Sequence, residues 1–313
     1  MVMFLIGLLA MAATATTPDR LYACGDDQVR ELRIVGDRAI ESWRWTAREA
    51  TDLPAEYRAT LLRHIDDCKP MDDGRALLVT ASTGATVLID RATGVSLFRA
   101  KTPMAHSAAL LPGGLVAVAL SIDPAGDRLE LYDVHRSEMA LQNLPLPSGH
   151  GAVWDAKRTR LFTLSHDLVQ AFRLDPTGPS PRLVETARWP LPGRRDGHDL
   201  SQTPNGDYTV TTDDGAWSFN PDDGSFQAIA PLNPKLRVKA VSAMGNRIAW
   251  VQAEESWWAH GFTIMTAQGT APRRIQVEGL HLYKVRWIRC CNCRPPSPIP
   301  TRGRPSRYRR TAG

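Results

Sequence analysis

The sequence predicts an all-β protein: a six-bladed β-propeller of the WD40/YVTN-like kind, closed by pairing of its N- and C-terminal strands. Two observations predict it. Side chains able to carry positive charge recur at His64, His106, His150, His198, Lys239 and Lys284, with gaps of 42, 44, 48, 41 and 45 residues. Short strand-like runs fill the intervals. A period of this size marks a propeller, in which one four-stranded blade is one repeat. Rotation about the axis would then bring equivalent positions into a ring.

The elements follow in order. Residues 1–15, MVMFLIGLLAMAATA, read as a signal peptide, with an apolar stretch and a small-x-small cleavage site at Ala13-Thr14-Ala15. The stretch has no Lys or Arg before its apolar core, which points to a start farther upstream; a buried N-terminal strand is the alternative reading. Export to a periplasm or the exterior is expected. The propeller is expected over residues 21–287. Residues 21–47 supply three strands, and 54–64 (PAEYRATLLRH) a short helical turn. Blades are expected near 64–102, 105–146, 149–192, 197–232 and 238–278. Runs such as ALLVT (76–80), LVAVA (115–119) and YTVT (208–211) are rich in β-branched or aromatic residues and bounded by turns. Asp73-Gly74, Gly113-Gly114, Asn205-Gly206 and Asp223-Gly224 are hairpin dipeptides. The first blade lacks a strand, which LYKVRW (282–287) would supply, removing the open sheet edges.

Residues 288–313 break this pattern. They hold seven Arg and no Asp, Glu or Lys, and are expected to be disordered, with an aberrant C-terminus preferred over a basic arm. Without those Arg, the formal charge of +5 becomes about −2, so the body gives no reason to expect nucleic acid. No apolar run is long enough for a transmembrane helix. A monomer is expected. Cys24 and Cys68 stand apart from the tail cysteines; a disulfide and two free buried thiols are both open.

The stretches ACGDDQV (23–29), DDCKPMDDG (66–74), AHSAALLPGG (105–114), GHGAVWD (149–155), GHDL (197–200), QAEESWWAH (252–260) and LYKVRW (282–287) together resemble an uncharacterised family of exported bacterial propeller proteins. The resemblance covers about residues 21–287. It implies six blades and export, and no reaction.

Candidate chemistry centres on His106, His150 and His198, each expected to open an inner strand. His106 and His198 both stand eight residues before a turn glycine, Gly114 and Gly206. Three imidazoles about one axis can ligate a divalent metal, act as acid or base, or bind an anion. No cofactor is assigned beyond that metal option. His64, Lys69, Lys239, Lys284 and Arg286 are expected to join the same channel. Cations there would repel a bound ion, favour an anionic ligand, and lower each His pKa. Asp66 or Lys69 is an alternative to His64 as the ring member.

The second lead is Glu254, Glu255, Trp257, Trp258 and His260. On a strand, adjacent indoles point to opposite faces, leaving one as a stacking platform for a sugar. Asp26, Asp27, Asp66, Asp67, Asp155 and Asp199 would orient the imidazoles, hold Ca²⁺ or cap turns. No phosphate loop, nucleophile elbow or zinc-protease motif is present. The reading is a channel that binds an anionic or carbohydrate ligand. The alternatives are a lyase or hydrolase on a uronate glycan, and a protein-interaction platform.

Overall fold

A computed structural model describes residues 19–193 and 196–288. The expected signal peptide, 1–15, and the expected disordered tail beyond Ile288 lie outside the described residues. Strands β1 (Asp19–Gly25), β2 (Gln28–Val35) and β3 (Arg38–Thr46) open the chain. Five sets of four follow. The first is β4 (Ile65–Met71), β5 (Ala76–Ala81), β6 (Ala85–Asp90) and β7 (Ser96–Lys101). The next is β8 (Ala105–Leu111), β9 (Leu115–Leu120), β10 (Arg128–Asp133) and β11 (Ala140–Pro145). Then come β12 (Gly151–Asp155), β13 (Arg160–Leu164), β14 (Leu168–Asp175) and β15 (Arg182–Pro190). After them come β16 (Asp199–Gln202), β17 (Tyr208–Thr212), β18 (Gly215–Asn220) and β19 (Ser225–Ala228). The last set is β20 (Val238–Met244), β21 (Arg247–Gln252), β22 (Gly261–Thr266) and β23 (Arg273–Gln276), and β24 (Leu282–Trp287) ends the series.

Each set is an antiparallel meander, one blade of the propeller. The first blade is completed by β24, which pairs with β1 at Leu21↔Trp287, Tyr22↔Arg286 and Cys24↔Lys284. The circle therefore closes between the two ends of the chain, as the strand shortage in residues 21–47 predicts. A single parallel bridge, Gln276↔Arg38, joins the outer edges of blades 6 and 1.

Burial explains the strand sequences. β5 and β9 are buried at every position because neighbouring blades cover both faces. Their sequences, ALLVTA and LVAVAL, are accordingly continuous apolar runs. Outer strands such as β11 and β15 mix exposed and half-buried positions. The core is divided into clusters between adjacent blades. Val29, Val79, Val87 and Ile89 pack between blades 1 and 2, and Phe162, Leu164, Val210 and Phe219 between blades 4 and 5.

Cys24 on β1 and Cys68 on β4 form a disulfide, resolving the alternative left open by the sequence. It ties the closing blade to its neighbour. The segment between β3 and β4 holds the helical turn Tyr57–Leu61. Its Tyr57 hydroxyl donates to Glu138 at 3.0 Å.

Candidate ligand-binding site at the channel mouth

The innermost strands are β24, β4, β8, β12, β16 and β20. Four of them carry a β-bulge near their start. Asp66, His106, Lys239 and Tyr283 are each skipped by the pairing ladder. A bulge leaves one residue unpaired and re-aims its side chain. His150 and His198 occupy the corresponding places just before β12 and β16, where their amides donate to Leu164 O at 2.9 Å and Thr211 O at 2.8 Å. These six side chains line one cavity of 570 Å³.

The ring read from sequence spacing therefore needs two corrections. His64 lies two residues ahead of Asp66, on the connecting segment, although it still lines the cavity. Lys284 lies one residue past the ring position, which Tyr283 holds. Its side chain is fully buried in the channel below. Counting by period cannot see the extra residue that a bulge inserts.

Local backbone geometry fixes two of the imidazoles. Met104 and Ser148 adopt left-handed φ of 52° and 49°. Non-glycine residues rarely do so without a purpose. Their carbonyl oxygens accept the Nδ1–H of His106 and His150, two residues on, at 2.9 Å in each case. These bonds assign the Nδ1–H tautomer and leave Nε2 with its lone pair. The rings of His106 and His150 lie 4.4 Å apart, and those of His150 and His198 5.6 Å apart. Gly149 and Gly197, which precede His150 and His198, have no room for a side chain. A Cβ on Gly149 would meet Leu120 O at 2.9 Å, and one on Gly197 would meet Ser165 O at 2.8 Å.

His198 differs. Its Nε2 lies 2.8 Å from Asp213 Oδ1 and 3.0 Å from Lys239 Nζ, while its buried Nδ1 has no hydrogen-bond partner. All three imidazoles are held neutral. Burial is the first cause in each, with His106 and His198 adding to it at His150, and Lys239 at His198. His198 is pushed down to about 4. The expectation that cationic neighbours would lower these groups is met only as a secondary effect. Burial also lowers Lys239 to about 8, against the pull of Asp213. It raises Asp66, against His106 and the Ser82 amide.

Trp257 and Trp258 complete the wall. They do not lie on a strand with opposed faces. Glu255 and Trp258 bridge a tight turn, and both indoles reach the cavity. Trp257 is 60% exposed, with its ring 5.8 Å from Lys239 Nζ. Trp258 packs edge-on against His64 and Tyr283. Glu254, Glu255 and His260 do not line the cavity. Glu254 accepts from the His260 amide at 2.8 Å and pairs with Arg274, and Glu255 pairs with His260 at 3.0 Å. They hold the turn that presents the indoles.

Beneath the mouth the channel is filled by a buried ionic network. Arg286 forks onto Asp67 and Asp199, and Lys284 Nζ sits 3.1 Å from Asp199. Lys69 donates to Ser107 Oγ at 2.7 Å and to the carbonyls of Ala108 and Ala152 at 3.1 and 2.7 Å. Burial would raise both carboxylates, but Arg286 and the lysines hold them below their ordinary range. Burial lowers Lys69 to about 8. Lys69 and Arg286 border a separate cavity of 270 Å³ farther along the inner strands, with Gln202, Ser242 and Trp287. The single cationic channel expected from the sequence is thus two openings divided by a salt-bridged floor.

Sequence reasoning missed Tyr283 and Asp213, and weighed Asp67 and Asp199 as orienting groups, Ca²⁺ ligands or turn caps rather than as partners of Arg286 and Lys284. Asp155 does cap its turn, accepting from the amides of Lys157 and Arg158. Among the described residues no three His, Cys, Asp or Glu side chains are grouped to hold a metal ion. No helix among them is long and apolar enough to cross a membrane.

A family of unknown function (DUF6528) matches residues 11–294. No curated protein matches the chain. The structure is similar to a chain of a nidogen/laminin complex, at 13% identity and a TM-score of 0.58, covering 87% of this chain and 99% of that one. A protein of unknown function from Bacteroides caccae gives the same values. Apo AztD from Citrobacter koseri is similar at 10% identity and a TM-score of 0.51, with 87% and 98% covered. At such identities the likeness establishes the fold alone.

Proposed function

The chain belongs to this family of unknown function (DUF6528), and we propose that it is an exported propeller that binds a carbohydrate or small anionic ligand at the channel mouth. One observation carries the reading. The ring presents two neutral imidazoles with free Nε2 lone pairs beside the amine of Lys239. Neutral Nε2 atoms accept from hydroxyls, Lys239 supplies a charge for a carboxylate, and the exposed Trp257 offers a face for a sugar ring.

A uronate lyase is the second reading, and the pKa values shift its base. An imidazole near 4 is a poor base at neutral pH, whereas an amine near 8 is close to the useful range. A lyase here would use Lys239 rather than His198. A protein-docking platform is less well supported. Of the large exposed apolar side chains, Ile122 and Trp257 lie in the cavity wall, where they suit a small ligand.

The test is titration of the full chain with a panel of neutral and acidic saccharides, followed by calorimetry and tryptophan fluorescence. Absorbance of unsaturated products is recorded in parallel. Saturable binding without product supports the binder, and product supports the lyase. No binding by any panel member removes the proposal.

A further inference from the structure

The connection between β3 and β4 runs over residues 47–64, while the other blade-to-blade connections span three to nine residues. It is the longest of these connections and holds two short helical turns, Ala47–Glu49 and Tyr57–Leu61. This one lies beside the mouth. Its last residue, His64, lines the mouth cavity and also a second cavity of 580 Å³, whose wall includes Arg48, Arg58 and Arg63. His64 is therefore a wall common to the two neighbouring cavities.

Charge on the connection is segregated. Asp52 accepts from the Ser96 amide at 2.7 Å, and Glu56 pairs with Lys101 at 2.6 Å, both on β7 of blade 2. Glu49 does not line the groove. The groove's own acids are already engaged. Asp27 is held by Arg48 at 2.5 and 2.7 Å, and Asp26 by the His281 amide at 3.0 Å. Arg58 donates only to the Leu53 carbonyl at 3.2 Å. Arg58 and Arg63 have no carboxylate partner among the described residues. Two guanidinium groups thus face the groove with unused donors in the planar geometry that matches carboxylates and sulfates.

We infer that the mouth and this groove form one extended site for an acidic oligosaccharide: one sugar unit sits in the ring against Trp257, and the carboxylate or sulfate of the neighbouring unit is bound by Arg58 and Arg63 beside His64. This rests on the saccharide reading of the mouth. Linking two subsites makes the second contact intramolecular, so affinity rises with chain length only when both are engaged.

Calorimetry on the full chain tests it with galacturonic acid, di- and trigalacturonate, neutral oligosaccharides of equal length, and a sulfated disaccharide. The acidic dimer and trimer bind at least about tenfold more tightly than the monomer and the neutral series, and salt reduces the gain. The galacturonate and sulfated arms show which anion is preferred. R58Q/R63Q removes the gain and leaves monomer binding unchanged; R63Q alone, on an exposed side chain, serves if the double variant misfolds. Equal affinity for monomer and acidic oligomer, or a gain that survives in the variant, overturns the groove while leaving the mouth intact. Failure of every saccharide, monomers included, overturns the mouth reading and this one with it.

Discussion

Arg286 donates from Nε and Nη2 to the two carboxylate oxygens of Asp67 at 2.8 and 2.9 Å, across 219 residues of chain. The same guanidinium reaches Asp199 at 2.9 and 2.6 Å. The closing strand is thereby fixed to blades 2 and 5 through the axis as well as to blade 1 through its ladder. Arg286→Met would leave two buried carboxylates with fewer partners, at a loss of about 3–5 kcal/mol. Urea unfolding measures it. Adding Asp67→Asn and Asp199→Asn should recover part of the loss; no recovery would show that the network is not the cause.

The disulfide gives a second stability prediction. Cys24 lies opposite Lys284 in the closing ladder, and Cys68 follows Asp67, to whose Oδ1 its amide donates. Removing the crosslink by Cys24→Ser/Cys68→Ser should lower stability by about 2–4 kcal/mol. Thermal melts should place the oxidised protein highest, with the reduced and substituted forms lower and alike.

The mouth imidazoles make acid stability informative. His106, His150 and His198 have folded-state pKa values below 6.5, so the unfolded chain takes up their protons first. Their contribution is present above pH 6.5 and is lost as pH falls from there toward about 4. For His198 alone, the fall from 6.5 to about 4 corresponds to roughly 3 kcal/mol. Asp67 and Asp199, also depressed, add a further loss below their unfolded value near 3.8. Melts between pH 7 and 4 should fall steadily, and His198→Ala should flatten the slope. A slope unchanged in that variant would contradict the assignment.

The ligand site yields separable variants. His106→Ala and His150→Ala should keep the fold and weaken saccharide binding by about tenfold each, about one charge-free hydrogen bond. Trp257→Ala should weaken binding and remove a ligand-induced fluorescence change with little effect on stability, because its indole is largely exposed. Trp258→Ala should also lower stability, since that ring packs on His64 and Tyr283. Identical binding by wild type and these variants would move the site elsewhere.

Much of the architecture was legible in the chain itself. Continuous apolar runs such as LVAVAL, turn dipeptides and a repeat of about 44 residues follow from blades covered on both faces, and the three strands in residues 21–47 require a fourth from the far end. The repeat also brought His106, His150 and His198 together, because rotation about one axis is a property of the period. What the period cannot resolve is a shift of one or two residues. Bulges at Asp66, His106, Lys239 and Tyr283 decide which side chain turns to the mouth, and each depends on how an inner strand pairs with its neighbour. The roles of the charges were likewise settled by tertiary structure. Lys284 and Arg286 read as channel cations, yet the carboxylates of Asp67 and Asp199 meet them from strands far away in sequence, and burial rather than neighbouring charge keeps the imidazoles neutral.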